Sequence, residues 1–144
     1  SRPNITISDD LILIQASEWK KGFGALIKFI SAQSENIAVP IVKAKAEKMN
    51  RKVANIRLRK MKKWGLCTSS KEITLNAYIS MLPQEMIDYI ISHEVAHLKE
   101  MNHSKRFWDT VSVMYPDYKQ AKKDLKSYRV PEMGKVVLEA VPLE

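Results

Sequence analysis

His93-Glu94-Val95-Ala96-His97, with Asn102-His103 shortly after it, is the stretch on which the reading of this chain turns. The pentapeptide is an H-E-x-x-H pattern, which carries meaning only on a helix. Upstream, Pro83 stands where a missing N–H costs a helix nothing, and Glu85 falls in the first turn, where the helix dipole favours negative charge. The spacing predicts a helix from Pro83 to about Glu100. At about 100° per residue, Asp88, Ser92 and Lys99 form an outward stripe, with Val95 the exception, while Met86, Ile90, His93 and His97 face the core.

Residues four apart on a helix differ by about 40° and about 6 Å along the axis, so two imidazoles can converge on one ion at about 2.0–2.1 Å. Glu94 is turned roughly 100° from His93, which suits it to hold a metal-bound water rather than the metal. A catalytic zinc has three protein ligands and one open position, and His103 is the third candidate. On a continuing helix His103 would sit roughly 240° around and about 9 Å beyond His97, so the chain must turn after about Glu100. Asn102, which tolerates the left-handed conformation, is placed to make that turn.

Two plainer readings compete. The three histidines could be unrelated, but the chain has only three, all within 93–103, and unpaired rings on the buried face would cost about 1–3 kcal/mol each. A closed structural site with Cys67 as fourth ligand is the other; a purely structural site has no use for Glu94, and Cys67 has a simpler role as a small apolar packing residue.

Working outward, Ile5 to Ile14 alternates around Ser8-Asp9-Asp10 and predicts a short hairpin. Two helices follow: one from an N-cap at Ser17, with Trp19, Phe23, Leu26, Ile27 and Ile30 at helical spacing, and one with Pro40 in its first turn and Val42, Ala46, Met49 and Val53 on one side. From Ala54 the period becomes two. Ala54, Ile56 and Leu58 would face the core, Ile73, Leu75, Ala77 and Ile79 repeat the pattern, and the turn formers of 64–71 between them predict an antiparallel hairpin with a long or bulged connection. After His103, one helix begins after Ser104, packs Phe107, Trp108, Val111, Met114 and Tyr115, and ends at Pro116; a last one shows Tyr118, Ala121, Leu125 and Tyr128 at spacings of three and four, with Lys119, Lys122, Lys123 and Lys126 mostly outward. The expected architecture is α+β: a zincin-like single domain over 1–144, with N-terminal helices, a small mainly antiparallel sheet, the H-E-x-x-H helix and C-terminal helices.

The 144 residues are 45% hydrophobic and hold one cysteine, so no internal disulfide forms; no apolar run reaches the roughly 18–20 residues of a membrane span. No secretory signal pattern opens the chain, and a cytoplasmic protein is expected. The net charge is +8, and ten of the 24 Lys and Arg residues lie between Lys43 and Lys63. Such a stretch is either a solvated surface or a site for nucleic acid.

From about Arg59 to Tyr128 the sequence resembles the YgjP-like metallopeptidases, zincins related in motif to the SprT-like and WLM proteases. The resemblance rests on Lys63-Trp64-Gly65 with Cys67, Ile73-Thr74-Leu75-Asn76, Leu82-Pro83, Ile87-Asp88-Tyr89-Ile90, His93 to Leu98, Asn102-His103-Ser104 with Phe107-Trp108, and Pro116-Asp117-Tyr118. It implies one Zn2+ per chain on His93, His97 and His103, with Glu94 as general base. Leu66 departs from it, the family usually having Ser there. Metzincins share the ligand spacing but require Gly where this chain has Glu100.

A zinc metallohydrolase, a peptidase acting on a peptide or protein substrate, is therefore the leading expectation. One version acts on DNA-associated proteins, with residues 43–63 docking the phosphate backbone. The alternatives are a nucleoside triphosphate pyrophosphohydrolase using the same metal site, with Lys105 and Arg106 beside a bound anion, and a non-catalytic, zinc-stapled nucleic-acid module. Asn76 and its strand are candidates for a substrate-binding edge, and Tyr78, Tyr89, Tyr115 and Tyr118 are oxyanion-stabilising candidates by type.

Overall fold

The computed structural model describes residues 4–8, 11–15 and 19–131. The alternation at the start forms the expected antiparallel hairpin of β1 (Asn4–Ser8) and β2 (Leu11–Gln15), with Ser8 opposite Leu11. Its turn residues Asp9 and Asp10, and the expected N-cap Ser17, lie outside the described residues.

The two helices expected around Pro40 are one, α1 (Trp19–Lys48). An interior proline forfeits one backbone hydrogen bond and crowds the preceding turn, costing about 3 kcal/mol or more. Here Ala38 before it and Val42 and Ala46 after it are buried in the same core, and that shared burial holds the helix together across the ring. The helix stops at Asn50, whose φ of 56° is left-handed, while the Arg51 amide donates back to the Ala46 carbonyl at 2.9 Å.

β3 (Asn55–Arg59), β4 (Gly65–Cys67) and β5 (Glu72–Asn76) form a mixed sheet in the order β3-β5-β4. β3 and β5 are parallel, not the two arms of a hairpin; the antiparallel partner of β5 is β4, which lies inside what reads as a connecting loop. The chain reverses again after β4 through Thr68–Lys71, where Lys71 takes a φ of 65° and its amide donates to the Thr68 carbonyl at 3.0 Å. Ala54 falls outside the strand and is exposed, and Ile56 and Leu58 are half-buried because β3 is an edge strand. Ile73 and Leu75, on the central strand, are fully buried.

A 3₁₀ turn (Ile79–Met81) leads into α2 (Gln84–Ala96), which begins at Pro83 as expected and ends earlier than Glu100. Beyond Ala96 the amides of Leu98 and Lys99 bond three residues back, to the carbonyls of Val95 and Ala96, which tightens and closes the helix. α2 is flanked by α1, β4, α3 (Lys105–Met114) and α4 (Tyr118–Leu125). This enclosure explains why Ser92, expected to face outward, is fully buried, its hydroxyl donated to the Asp88 carbonyl at 2.7 Å. α3 starts at the expected N-cap, the Ser104 hydroxyl accepting from the Phe107 amide at 3.4 Å. The fold is thus a small α+β domain, and no helix among the described residues is long and apolar enough to cross a membrane.

Candidate metal centre

α2 carries His93 and His97 at its C-terminal end, and the loop before α3 returns His103 to them. One ligand atom from each lies within 4.8 Å of the others. The ring centroids are 5.0 Å apart for His93 and His97, 4.9 Å for His97 and His103, and 5.2 Å for His93 and His103. The turn that achieves this does not use a left-handed Asn102: among the described non-glycine residues only Asn50 and Lys71 have positive φ. His97 Nδ1 instead lies 3.0 Å from the Glu100 carbonyl, and the Ser104 amide donates to the Asn102 carbonyl at 2.8 Å.

Those contacts also set the tautomers. A carbonyl oxygen only accepts, so His97 carries its proton on Nδ1 and leaves Nε2 as the lone-pair nitrogen. His93 Nδ1 lies 3.3 Å from Glu94 Oε1, and a proton on Nδ1 donated to that oxygen leaves Nε2 as its lone-pair nitrogen too. Burial holds the pKa of His97 below the ordinary imidazole value, which the hydrogen bond to the Glu100 carbonyl and then the nearby Glu94 charge only partly offset. His103, although at the surface, is lowered by desolvation first and then by its two histidine neighbours. Neutral imidazoles are the form that binds metal.

Phe107, fully buried, forms the floor: its ring is 5.0 Å from His93, 4.5 Å from His97 and 4.8 Å from His103. Trp108 closes one side, 5.8 Å from His93 and 6.2 Å from His103, and Tyr118 stacks on it at 5.3 Å. Glu94 is buried, at 5% side-chain exposure against 26% for His93. β4 passes so close that a Cβ on Gly65 would lie 2.8 Å from Glu94 Cγ. Beside Glu94 opens a cavity of about 280 Å³, walled by Trp64, Gly65, Tyr89, Ile90 and Leu125, with Lys63 among its lining residues.

Of the tyrosine candidates, Tyr89 stands beside the cluster, 6.3 Å from the His93 ring; burial, aided by the Glu94 charge, pushes its phenol up to about 12. Tyr115 packs on Tyr89, Tyr118 on Trp108, and Tyr78 in a separate apolar cluster with Leu26, Ile27 and Ile30. Cys67 is not among the clustered ligands; it is buried, and desolvation raises its thiol to about 11. Asn76 is not a substrate edge. Its strand is paired on both sides, and its buried amide donates to the carbonyls of Met61 and Lys63 at 2.8 and 2.9 Å and accepts from the Tyr78 amide. Gly65 was legible only as a motif letter, and Phe107 only as a packing residue of its helix, because their places at the site depend on what other elements bring near them. Lys105 and Arg106 are exposed at the start of α3, and the basic stretch divides between the α1 end, where Lys43, Arg51 and Lys52 line one groove, and Lys60–Lys63 beside Trp64.

A family model described as a YgjP-like metallopeptidase domain matches residues 2–128. Among solved structures the chain is similar to the metallopeptidase zymogen of Pyrococcus abyssi abylysin, at 23% identity and a TM-score of 0.56, over 63% of this chain and 93% of that one. It is also similar to the metallopeptidase zymogen of Methanocaldococcus jannaschii jannalysin, at 25% identity and a TM-score of 0.47, over 70% and 92%. The abylysin likeness establishes a shared fold. No curated protein sequence matches.

Proposed function

The chain belongs to the YgjP-like metallopeptidase family, and from that membership we propose that it is a zinc-dependent peptidase with His93, His97 and His103 as ligands and Glu94 as general base. The observation that carries the reading is the convergence of three imidazoles beside a buried carboxylate. The donor set fits the metal. Tetrahedral zinc at about 2.0–2.1 Å asks for nitrogens roughly 3.4 Å apart, which small side-chain rotations reach from the separation present. Zinc bound there would polarise the scissile carbonyl and acidify the attacking water.

The chain's own groups do the rest. Glu94, shielded from bulk solvent, takes a proton from the attacking water on its carboxylate and passes it to the leaving amine. The β4 edge facing away from β5 is unpaired among the described residues, and an extended peptide pairing with it by main-chain hydrogen bonds would run past Glu94. The cavity walled by Trp64, Tyr89, Ile90 and Leu125 suits an apolar side chain of that peptide.

Metal analysis by mass spectrometry is the first test. About one zinc per chain is expected, falling sharply in His103→Ala, while Glu94→Gln keeps its zinc and loses peptide hydrolysis. A well-folded wild-type protein unable to take up zinc would sink the proposal.

A further inference from the structure

Lys119, Lys122, Lys123 and Lys126 lie on or just beyond α4 at intervals of three, four and seven residues, so they share one face, and all four are exposed. Like charges at these spacings repel, and Lys119, in the first turn, also stands against the helix dipole. Among the described residues none of the four is in an ion pair; the pairs there are Arg57 with Glu72 and His93 with Glu94. Asp124, on the same helix, has its carboxylate engaged by the Gln120 amide at 2.8 Å.

This face borders a surface hollow of about 430 Å³ that includes Trp108 and Tyr118, with rings stacked at 20°. The Lys122 ammonium lies 4.4 Å from the indole centroid. The same indole packs on His93 and His103, so the hollow adjoins the histidine cluster rather than a remote surface. A chain bound in one is within a few residues of the other.

We propose that this lysine face binds an acidic segment of the polypeptide substrate, a short distance along the chain from the bond that is cut. The inference rests on the peptidase reading above and adds a substrate class to it. Lys119 to Lys126 spans about 10 Å of helix axis, which matches about three residues of extended peptide. A nucleic-acid backbone would call for a longer cationic track. Carboxylates on the peptide would meet the ammonium groups, while the Trp108–Tyr118 pair offers an apolar floor to the rest of the chain.

The test uses zinc-loaded Glu94→Gln protein and fluorescence anisotropy of labelled short peptides. At low salt a peptide with a run of Glu is expected to bind about tenfold more tightly than its Gln counterpart, with the preference shrinking as salt is added. Adding Lys122→Gln and Lys126→Gln should remove most of it without changing the circular dichroism. Equal affinity for the two peptides, or a preference that survives these substitutions, overturns the proposal. So does tighter binding of a single-stranded oligonucleotide of equal charge. Wild-type cleavage separates the two readings. Acidic peptides bound as stated but never cut would support the surface and count against the peptidase; peptides cut with the same KM whatever their charge, in wild type and the lysine double variant alike, would count against the surface alone.

Discussion

Gly65 has no side chain to contribute, and the site depends on that. A Cβ there would stand 2.8 Å from Glu94 Cγ and 3.0 Å from its Oε2, nearer than non-bonded atoms settle. Gly65→Ala is therefore expected to push Glu94 aside and, with Glu94 the proposed general base, to lower kcat by about ten- to a hundredfold, since a small misplacement of a catalytic group is costly. Zinc content should stay unchanged because the histidines are untouched; kinetics beside metal analysis checks both. His93, Glu94 and His97 could be grouped from sequence because their relation is set by helix geometry, and His103 because the proposed zinc site calls for a third ligand. The place of Gly65 against Glu94 is a relation between a strand and a helix well separated in the chain, and no local spacing encodes it.

α1 shows the same division between local and distant causes. Pro40 read as the start of a second helix, a sound inference from its missing N–H, yet the helix continues because its two halves bury Ala38, Val42 and Ala46 in one core. Since Pro40 itself is exposed, Pro40→Ala should restore a hydrogen bond without disturbing packing. The expected gain is about 1–3 kcal/mol, read as a higher urea midpoint with an unchanged slope. A loss would mean that the core requires the distortion a proline imposes. The sheet hid more. β4 is only three residues long, too short for alternation to register, and strands on either side of it look identical in sequence whether they pair parallel or antiparallel.

For the molecule as a whole, packing leaves its mark on alkaline stability. Burial raises Cys67 to about 11 from 9.0 and Tyr89 to about 12 from 10.0, and shifts Tyr78 and Tyr115 the same way. The unfolded chain releases these protons first, so unfolding sheds protons and stability falls as pH rises between about 9 and 12, remaining intact below that window. Urea midpoints at pH 8 and pH 10 should differ in that direction, with a smaller difference in Cys67→Ala. Net charge, by contrast, was plain from composition, and it sets a problem that the fold answers. A protein of charge +8 repels cations at long range. α2 ends at the histidine cluster, so the partial negative charge of a helix C-terminus, of about half a unit, faces that spot with Glu94 beside it. At the three imidazoles the local field thus runs against the sign of the net charge, and draws a cation toward a spot on a protein that as a whole repels it.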